Sequence, residues 1–219
     1  MEIHSIDKDF EVKHGETLLL TAKISLPKVG GRTKAARRIN SYYSAELRFR
    51  ERYARKTLAK SAKKQYDFME KYGFIFEPFK LNITFTVTLN DENTLSLYTD
   101  CHEYVGGASA VTVRAGDIWT NGFPVHIEVK GREKRAARRK IVSEIERRRA
   151  WGEPYFVPPK RFARKHFNDK RLYLTPDGVT AFFQDTTIAP HSSGITEFQI
   201  QKGEHHANHS TNETGAKRR

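Results

Sequence analysis

The adjacent residues Cys101, His102 and Glu103 bring a thiol, an imidazole and a carboxylate together. These are the groups of a nucleophilic site, in which a base activates a thiol. The alternating pattern around them predicts a strand, on which Cys101 and Glu103 face one way and His102 the other. Because adjacent residues cannot pair in this way, the sequence favours a structural, partly buried thiol. Cys101 is also the only cysteine, which excludes an internal disulfide.

Acidic residues near the ends of predicted strands could act as paired general acids and bases. The sequence does not show that any two of them meet, and we expect surface positions in turns for Asp117, Glu128, Asp177 and Asp185. His205, His206 and His209 could hold a divalent cation. They lack a carboxylate or cysteine partner at a regular spacing, so we interpret them as an incidental cluster. With no glycine-rich phosphate loop either, we predict no metal site and no cofactor.

The net charge of +13 is concentrated in two stretches of the chain. Residues 28–72 hold 14 basic and four acidic residues, and residues 130–171 hold 16 and five. The second stretch could neutralise phosphates, giving salt-sensitive binding that is independent of sequence, through Lys134, Arg135, Arg138, Arg139, Lys140, Arg147, Arg148 and Arg149. The alternative is the solvated face of an ordinary helix, although the basic excess is larger than solubility requires.

Both basic stretches have helical periodicity, which predicts helices over 33–72 and 131–151. Period-two alternation predicts strands in the segments between and beyond them, and Thr175-Pro176-Asp177-Gly178 predicts a hairpin turn. We therefore predict an α+β fold: one mostly antiparallel sheet with two long basic helices packed on it. Residues 1–202 are predicted to form a single domain and 203–219 a disordered polar tail. Two separate cores would contradict this architecture.

A pair of glycines, Gly106 and Gly107, follows Tyr104 between two alternating segments. Glycine adopts positive φ and lets another backbone approach closely, so the pair predicts a reversal or kink of the chain. The same glycines belong to one of three short motifs that occur in this order: Tyr104-Val105-Gly106-Gly107-Ala108, Tyr173-Leu174-Thr175-Pro176-Asp177-Gly178-Val179, and Ile188-Ala189-Pro190 followed by Gly194-Ile195 and Phe198.

With these motifs the chain resembles the bacterial domain of unknown function 3298 family, over roughly residues 10–200. The family also supplies the extracytoplasmic domain of the lysozyme-sensing anti-sigma-V factor and a non-catalytic part of peptidoglycan deacetylase C. The resemblance implies an α+β fold and a binding module. Ser109 stands where a histidine is common in the family, and His191 where an aromatic residue is frequent.

The leading hypothesis is a non-catalytic binding or sensing module that engages a protein or a cell-wall partner. One alternative is a nucleic-acid or polyanion binder, and another is a hydrolase with a deep pocket lined by two carboxylates or a Cys-His pair. The candidate partner-binding residues are Tyr104, Gly106, Gly107, Arg135, Arg138, Arg139, Arg147 and Arg148.

No apolar run is long enough to cross a membrane, and the N-terminus lacks the pattern of a secretion signal. As written, the sequence predicts a soluble, cytoplasmic protein, although the relatives it resembles are largely extracytoplasmic.

Overall fold

The first of two β-sheets has six strands whose order in space follows their order along the chain. The computed structural model that shows them describes residues 1–107 and 110–202. The strands are β1 (Ile3–His14), β2 (Thr17–Val29), β3 (Phe79–Asn90), β4 (Thr94–Tyr104), β5 (Val111–Thr120) and β6 (Phe123–Pro124). The α+β class is therefore as predicted.

A continuous helical segment connects β2 to β3. It consists of α1 (Lys34–Tyr53), a π-helical turn (Ala54–Leu58) and α2 (Ala59–Lys71), which confirms the helix predicted over 33–72. The segment begins where Thr33 Oγ1 accepts a hydrogen bond of 3.0 Å from the Ala36 N–H. Gly73 follows the last helical residue, Lys71, and the cap residue Tyr72, and its positive φ of 70° suits the end of a helix.

This crossover makes β2 and β3 parallel, with Leu20 opposite Phe79 and Ile24 opposite Ile83. The remaining pairs of the sheet are antiparallel, so the first sheet is mixed. A helical crossover between neighbouring strands returns the chain in the same direction, whereas a hairpin reverses it. The predicted antiparallel pairing is thus correct for β3, β4 and β5, which follow one another as a meander.

The second sheet has three antiparallel strands, β7 (Leu172–Thr175), β8 (Gly178–Phe183) and β9 (Thr196–Lys202). The turn between β7 and β8 confirms the predicted hairpin. Two helices accompany this sheet, α3 (Gly131–Ala150) and α4 (Pro159–His166), and α3 contacts both β9 and α4.

The molecule has four layers, in the order α1–α2, first sheet, second sheet, α3–α4. On β4, Leu95 and Leu97 lie in the core under α1, whereas Ser96 faces the second sheet and accepts a hydrogen bond of 2.8 Å from the Leu174 N–H. The prediction of one sheet carrying both helices is wrong. Because β7 packs on β3, β4 and β5, no free face of the first sheet remains there for α3.

Each sheet has its own cluster of buried apolar residues on the side of its helices. Whether residues 1–202 act as a single domain stays a prediction. Ala108, Ser109 and the predicted tail at 203–219, with its three histidines, lie outside the described residues. Among the helices that are described, none combines the length and the apolar character that spanning a bilayer requires.

Candidate anion-binding surface

The helix α3 turns only a narrow apolar stripe towards the second sheet. Its buried residues Ala137, Ile141 and Ile145 recur every four positions and so lie on one face. The cations of the helix are consequently distributed over its sides and its outer face. They divide into two groups by what they contact.

Two of the predicted partner-binding arginines are engaged within the protein. Arg138 donates through Nη2 to the carbonyl of Arg164 at 3.2 Å and so joins α3 to α4. Arg148 donates to Glu144 at 2.8 Å, and its Nη2 donates to the carbonyl of Glu197 on β9 at 3.0 Å. These contacts give both residues a structural role.

Arg147 is exposed, and it shares the Glu144 carboxylate with Arg148. Its Nε and Nη2 donate to Glu144 at 2.8 and 2.7 Å, and its guanidinium lies 4.4 Å from the centre of the Trp151 ring. The hydrogen bonds from Arg147 and Arg148 lower the pKa of Glu144 to about 2. The last turn of α3 is therefore a paired cluster rather than a free cationic surface.

Arg135 and Arg139 are exposed, and α4 adds four exposed cations that the sequence analysis did not assign to a helix. They are Lys160, Arg161, Arg164 and Lys165, which line an open groove of about 600 Å³ together with Pro158. The signal for α4 was present in the spacing of Phe162, Ala163 and Phe167, but Pro158-Pro159 favoured a connector. Proline at the first helical position is compatible with a helix start.

Arg138 joins the two helices through its contact with Arg164, and Arg135 lies one turn away from it on α3. We call Arg135, Arg139, Lys160, Arg161, Arg164 and Lys165 the α4 cationic surface. The helix α4 has no acidic residue, and among the described residues none of its four cations forms an ion pair. Burial, and secondarily Lys165 and Arg171, lowers the pKa of His166, which is therefore neutral at pH 7.

The remaining predicted partner-binding residues lie in another part of the molecule. Tyr104 donates a hydrogen bond to Glu77, which precedes β3. Gly106 has a φ of 83°, and a Cβ at this position would lie 2.3 Å from Nε2 of Gln65 on α2. The glycine bend therefore packs on the first helical layer, and the structure does not bring it together with the arginines of α3.

The proposed catalytic groups are not assembled either. As expected, Cys101 faces the core under α1, whereas His102 lies on the other face, with Nδ1 3.0 Å from Thr112 Oγ1. Among residues 1–107 and 110–202, no group of three or more His, Cys, Asp or Glu side chains is arranged to hold a metal ion.

The surface positions expected for four carboxylates are correct for Glu128 and Asp177 only. Asp117 is largely buried under α1 and accepts a hydrogen bond of 2.9 Å from the Tyr43 hydroxyl, and its burial raises its pKa. The Asp185 side chain is 10% exposed and lies 2.5 Å from Nδ1 of His191. Both carboxylates are shielded by tertiary contacts that the local sequence pattern does not reveal.

Two family models match the chain in succession. Residues 13–112 match the model described as Deacetylase PdaC, and residues 127–203 match the model described as Protein of unknown function (DUF3298). No curated protein gives a significant match. The resemblance that the sequence motifs indicated is confirmed.

Solved structures show the same fold at low sequence identity. A DUF3298 family member from Bacteroides fragilis is 17% identical, with 90% of this chain and 89% of that chain covered and a TM-score of 0.65. A DUF3298 family protein from Pseudomonas aeruginosa is 12% identical, with 91% and 89% covered and a TM-score of 0.58. The four-layer arrangement is therefore shared with these proteins.

Proposed function

We propose that this chain, which joins a PdaC-type region to a DUF3298 region, is a non-catalytic module that binds an anionic polymer of the cell envelope. The observation that carries the proposal is the α4 cationic surface. Four of its six cations lie on a helix without a single acid, beside an open groove. A row of unpaired cations is suited to the repeated charges of a polymer, which it binds by releasing condensed counterions.

The family matches support the choice of partner. Residues 13–112 match the model described as Deacetylase PdaC, and the resemblance indicated by the sequence motifs implies relatives that are largely extracytoplasmic. An extracytoplasmic location would place the cationic surface among envelope polymers rather than nucleic acids. The same charge pattern also suits DNA or RNA, so nucleic acid is an outcome that the experiment must separate.

The test compares two variants that lose the same charge from opposite helical layers. The α4 variant carries Arg161→Gln, Arg164→Gln and Lys165→Gln. The control carries Lys56→Gln, Lys60→Gln and Lys64→Gln, three exposed positions in the helical segment between β2 and β3. Binding to labelled poly(glycerol phosphate), duplex DNA and polyglutamate is measured between about 50 mM and about 200 mM salt.

We expect the wild type to bind poly(glycerol phosphate) with an affinity that falls linearly with salt on a double-logarithmic plot. The α4 variant should bind at least about tenfold more weakly at low salt, and the slope of its log affinity against log salt concentration should be smaller in magnitude by about 2. The control should change binding less than about threefold. Equal losses in both variants, or no binding at about 50 mM salt, would overturn the proposal. Tighter binding of duplex DNA at equal phosphate concentration would replace the envelope polymer by nucleic acid.

The non-catalytic part of the proposal has its own support and test. Cys101 and His102 face opposite ways, and Asp117 and Asp185 pair with Tyr43 and His191 rather than with another acid. A screen with acetylated, glycosidic, peptide and phosphodiester substrates should show no turnover. Turnover that Asp185→Asn or Cys101→Ser abolishes would establish an enzyme instead.

A further inference from the structure

A second candidate site lies under α1, away from the α4 cationic surface. A partly open pocket of about 220 Å³ lies between α1 and the helix-facing side of β2, β3, β4 and β5. Its floor is apolar, and its walls carry two carboxylates, a guanidinium, a phenol, a hydroxyl and a thiol. The lining residues are Leu26, Glu46, Arg50, Tyr53, Ile83, Thr99, Cys101, Glu103, Val113 and Ala115.

The pocket follows from the periodicities of its two walls. Glu46, Arg50 and Tyr53 are spaced by four and three positions, so they share the inward face of α1. Cys101 and Glu103 are two positions apart on β4 and share its helix-facing side. Thiol, methyl and hydroxyl side chains are small, which leaves room between the helix and the sheet.

Two polar contacts fix the walls of the pocket. Arg50 Nε donates to Glu46 Oε1 at 2.7 Å. The Tyr53 hydroxyl lies 3.2 and 3.1 Å from the two carboxylate oxygens of Glu103 and donates a hydrogen bond to this group. Glu46 and Glu103 are two negative charges against the single positive charge of Arg50, so the pocket has a net negative charge.

The Cys101 thiol lies in the field of all three of these charged groups. Burial raises the pKa of its thiol, the Glu103 and Glu46 carboxylates raise it further, and Arg50 opposes them. Cys101 is thus a neutral thiol at pH 7 and a poor nucleophile. Its position in the wall makes it a reporter of what occupies the pocket.

We propose that this pocket binds a small primary amine with a short apolar chain. The ammonium group would lie between Glu46 and Glu103, and the chain would contact Leu26, Ile83 and Val113. A volume of about 220 Å³ admits about seven water-sized groups, which corresponds to a linear amine of about six heavy atoms. Apolar walls with a few convergent polar groups are the usual composition of small-ligand sites.

The test uses the single thiol as a site-specific probe. The rate of Cys101 modification by a small, thiol-specific methanethiosulfonate is measured with 1-pentylamine, pentanoate or 1-pentanol present. These three ligands have the same chain and differ in charge. We expect 1-pentylamine to slow the modification in a saturable manner, and the other two to have little effect at the same concentration.

Substitutions then locate the binding. Glu103→Gln retains an acceptor for Tyr53 and should weaken protection by the amine at least about tenfold, which is the loss typical of removing a charge-assisted contact. Glu92→Gln, in the exposed turn between β3 and β4, is the matched control and should leave protection unchanged. Thermal unfolding confirms that each variant is folded.

Three outcomes would overturn the proposal: equal protection by all three ligands, stronger protection by pentanoate, or unchanged protection in Glu103→Gln. Absence of any protection at the highest soluble amine concentration would do the same. The result is independent of polymer binding, because protection in this pocket should depend weakly on salt, whereas polymer binding falls steeply with salt.

Discussion

The two halves of the molecule share one plan and use it in opposite ways. In each half a long basic helix covers one face of a sheet. The helix α1 turns Glu46 and Arg50 towards its sheet beside a pocket, whereas the residues that α3 buries are the apolar Ala137, Ile141 and Ile145. Similar excesses of basic residues therefore produce a shielded polar site in the first half and an exposed charged surface in the second. Net charge alone does not distinguish these two uses.

The two family models divide the chain close to the boundary between the halves. The PdaC match ends at residue 112, within β5, and the DUF3298 match begins at residue 127, just before α3. The first match thus contains α1 and most of the first sheet, and the second contains α3, α4 and the second sheet. What joins the halves is the contact between their sheets.

The largest expected effects come from cavities in the two cores. Ile39 and Ile141 are each fully buried, and Ile39→Ala or Ile141→Ala should reduce the free energy of unfolding by about 2–5 kcal/mol. If the halves unfold as one unit, either substitution lowers the midpoint of a single unfolding transition. Each half contains one tryptophan, Trp119 and Trp151, so fluorescence of a Trp151→Phe background and circular dichroism can be compared.

Coincident transitions in that comparison would support the predicted single domain. Two transitions, with Ile39→Ala shifting the Trp119 fluorescence transition and Ile141→Ala shifting only the transition seen by circular dichroism, would show independent halves. Lys64→Gln, on the exposed side of α2, is the control and should change stability by less than about 0.5 kcal/mol.

The sequence predicts local structure well because local structure depends on neighbouring residues. Alternation identifies β2 and β4, Thr33 and Gly73 bound the long helical segment, and Pro176-Asp177 identifies a hairpin. The family resemblance also rests on local motifs. The resemblance is confirmed although each sheet has its own apolar cluster, and whether the two clusters are independent cores stays untested.

Strand partners and sheet packing are not local properties, and the sequence analysis misses them. The parallel pairing of β2 with β3 joins residues about sixty positions apart, and no residue type marks it. The candidate surface was found only in part for the same reason. Arg138 and Arg148 have the composition of binding residues, but tertiary contacts with Arg164 and Glu197 engage them.

The next effect tests the polar contact between the sheets. The Arg114 side chain is 9% exposed, donates two hydrogen bonds of 2.7 Å to Asp100, and pairs with Glu197 of the second sheet. Arg114→Met leaves both carboxylates without their partner and should destabilise the protein by about 2–3 kcal/mol. This loss is smaller than the loss expected for a fully buried ion pair, because both carboxylates are partly exposed. Chemical denaturation measures the change.

Arg114→Lys is the matched control for this contact. It keeps the charge but not the two parallel hydrogen bonds, so we expect a smaller loss than with methionine. Equal losses in the two variants would show that shape, rather than charge, connects the halves.

A smaller effect tests how closely the sheets approach. At Gly116 on β5, an added Cβ would lie 2.5 Å from the carbonyl oxygen of Leu172 on β7. Gly116→Ala should force the sheets apart locally and destabilise the protein by about 1–3 kcal/mol, as measured by its thermal midpoint. An unchanged midpoint would mean that β5 and β7 shift at no cost, which would weaken the case for a rigid contact between the halves.

The smallest effects compare one carboxylate from each half, and their signs should differ. Burial, and secondarily Glu46, raises the pKa of Asp117 above its ordinary 3.8, although the Tyr43 hydrogen bond opposes the shift. The folded state thus favours the protonated form of Asp117. The contribution of this form to stability is lost as the pH rises from 3.8 through the raised pKa. An asparagine side chain mimics the neutral acid, so Asp117→Asn should stabilise the protein at neutral pH but not below about pH 3.8.

In the second half, Arg147 and Arg148 lower the pKa of Glu144 from 4.5 to about 2. The ionised carboxylate stabilises the folded state fully above pH 4.5, and this contribution is lost as the pH falls through about 2. Glu144→Gln should therefore destabilise the protein at neutral pH and have less effect in acid. Both changes should be on the order of 1 kcal/mol or less. Thermal midpoints measured from about pH 3 to about pH 7 should therefore diverge in opposite directions from the wild type as pH rises. Shifts of the same sign would mean that Asp117, whose charge burial disfavours, is as well compensated in the folded protein as Glu144, which two arginines hold, and the contrast between these two carboxylates would not hold.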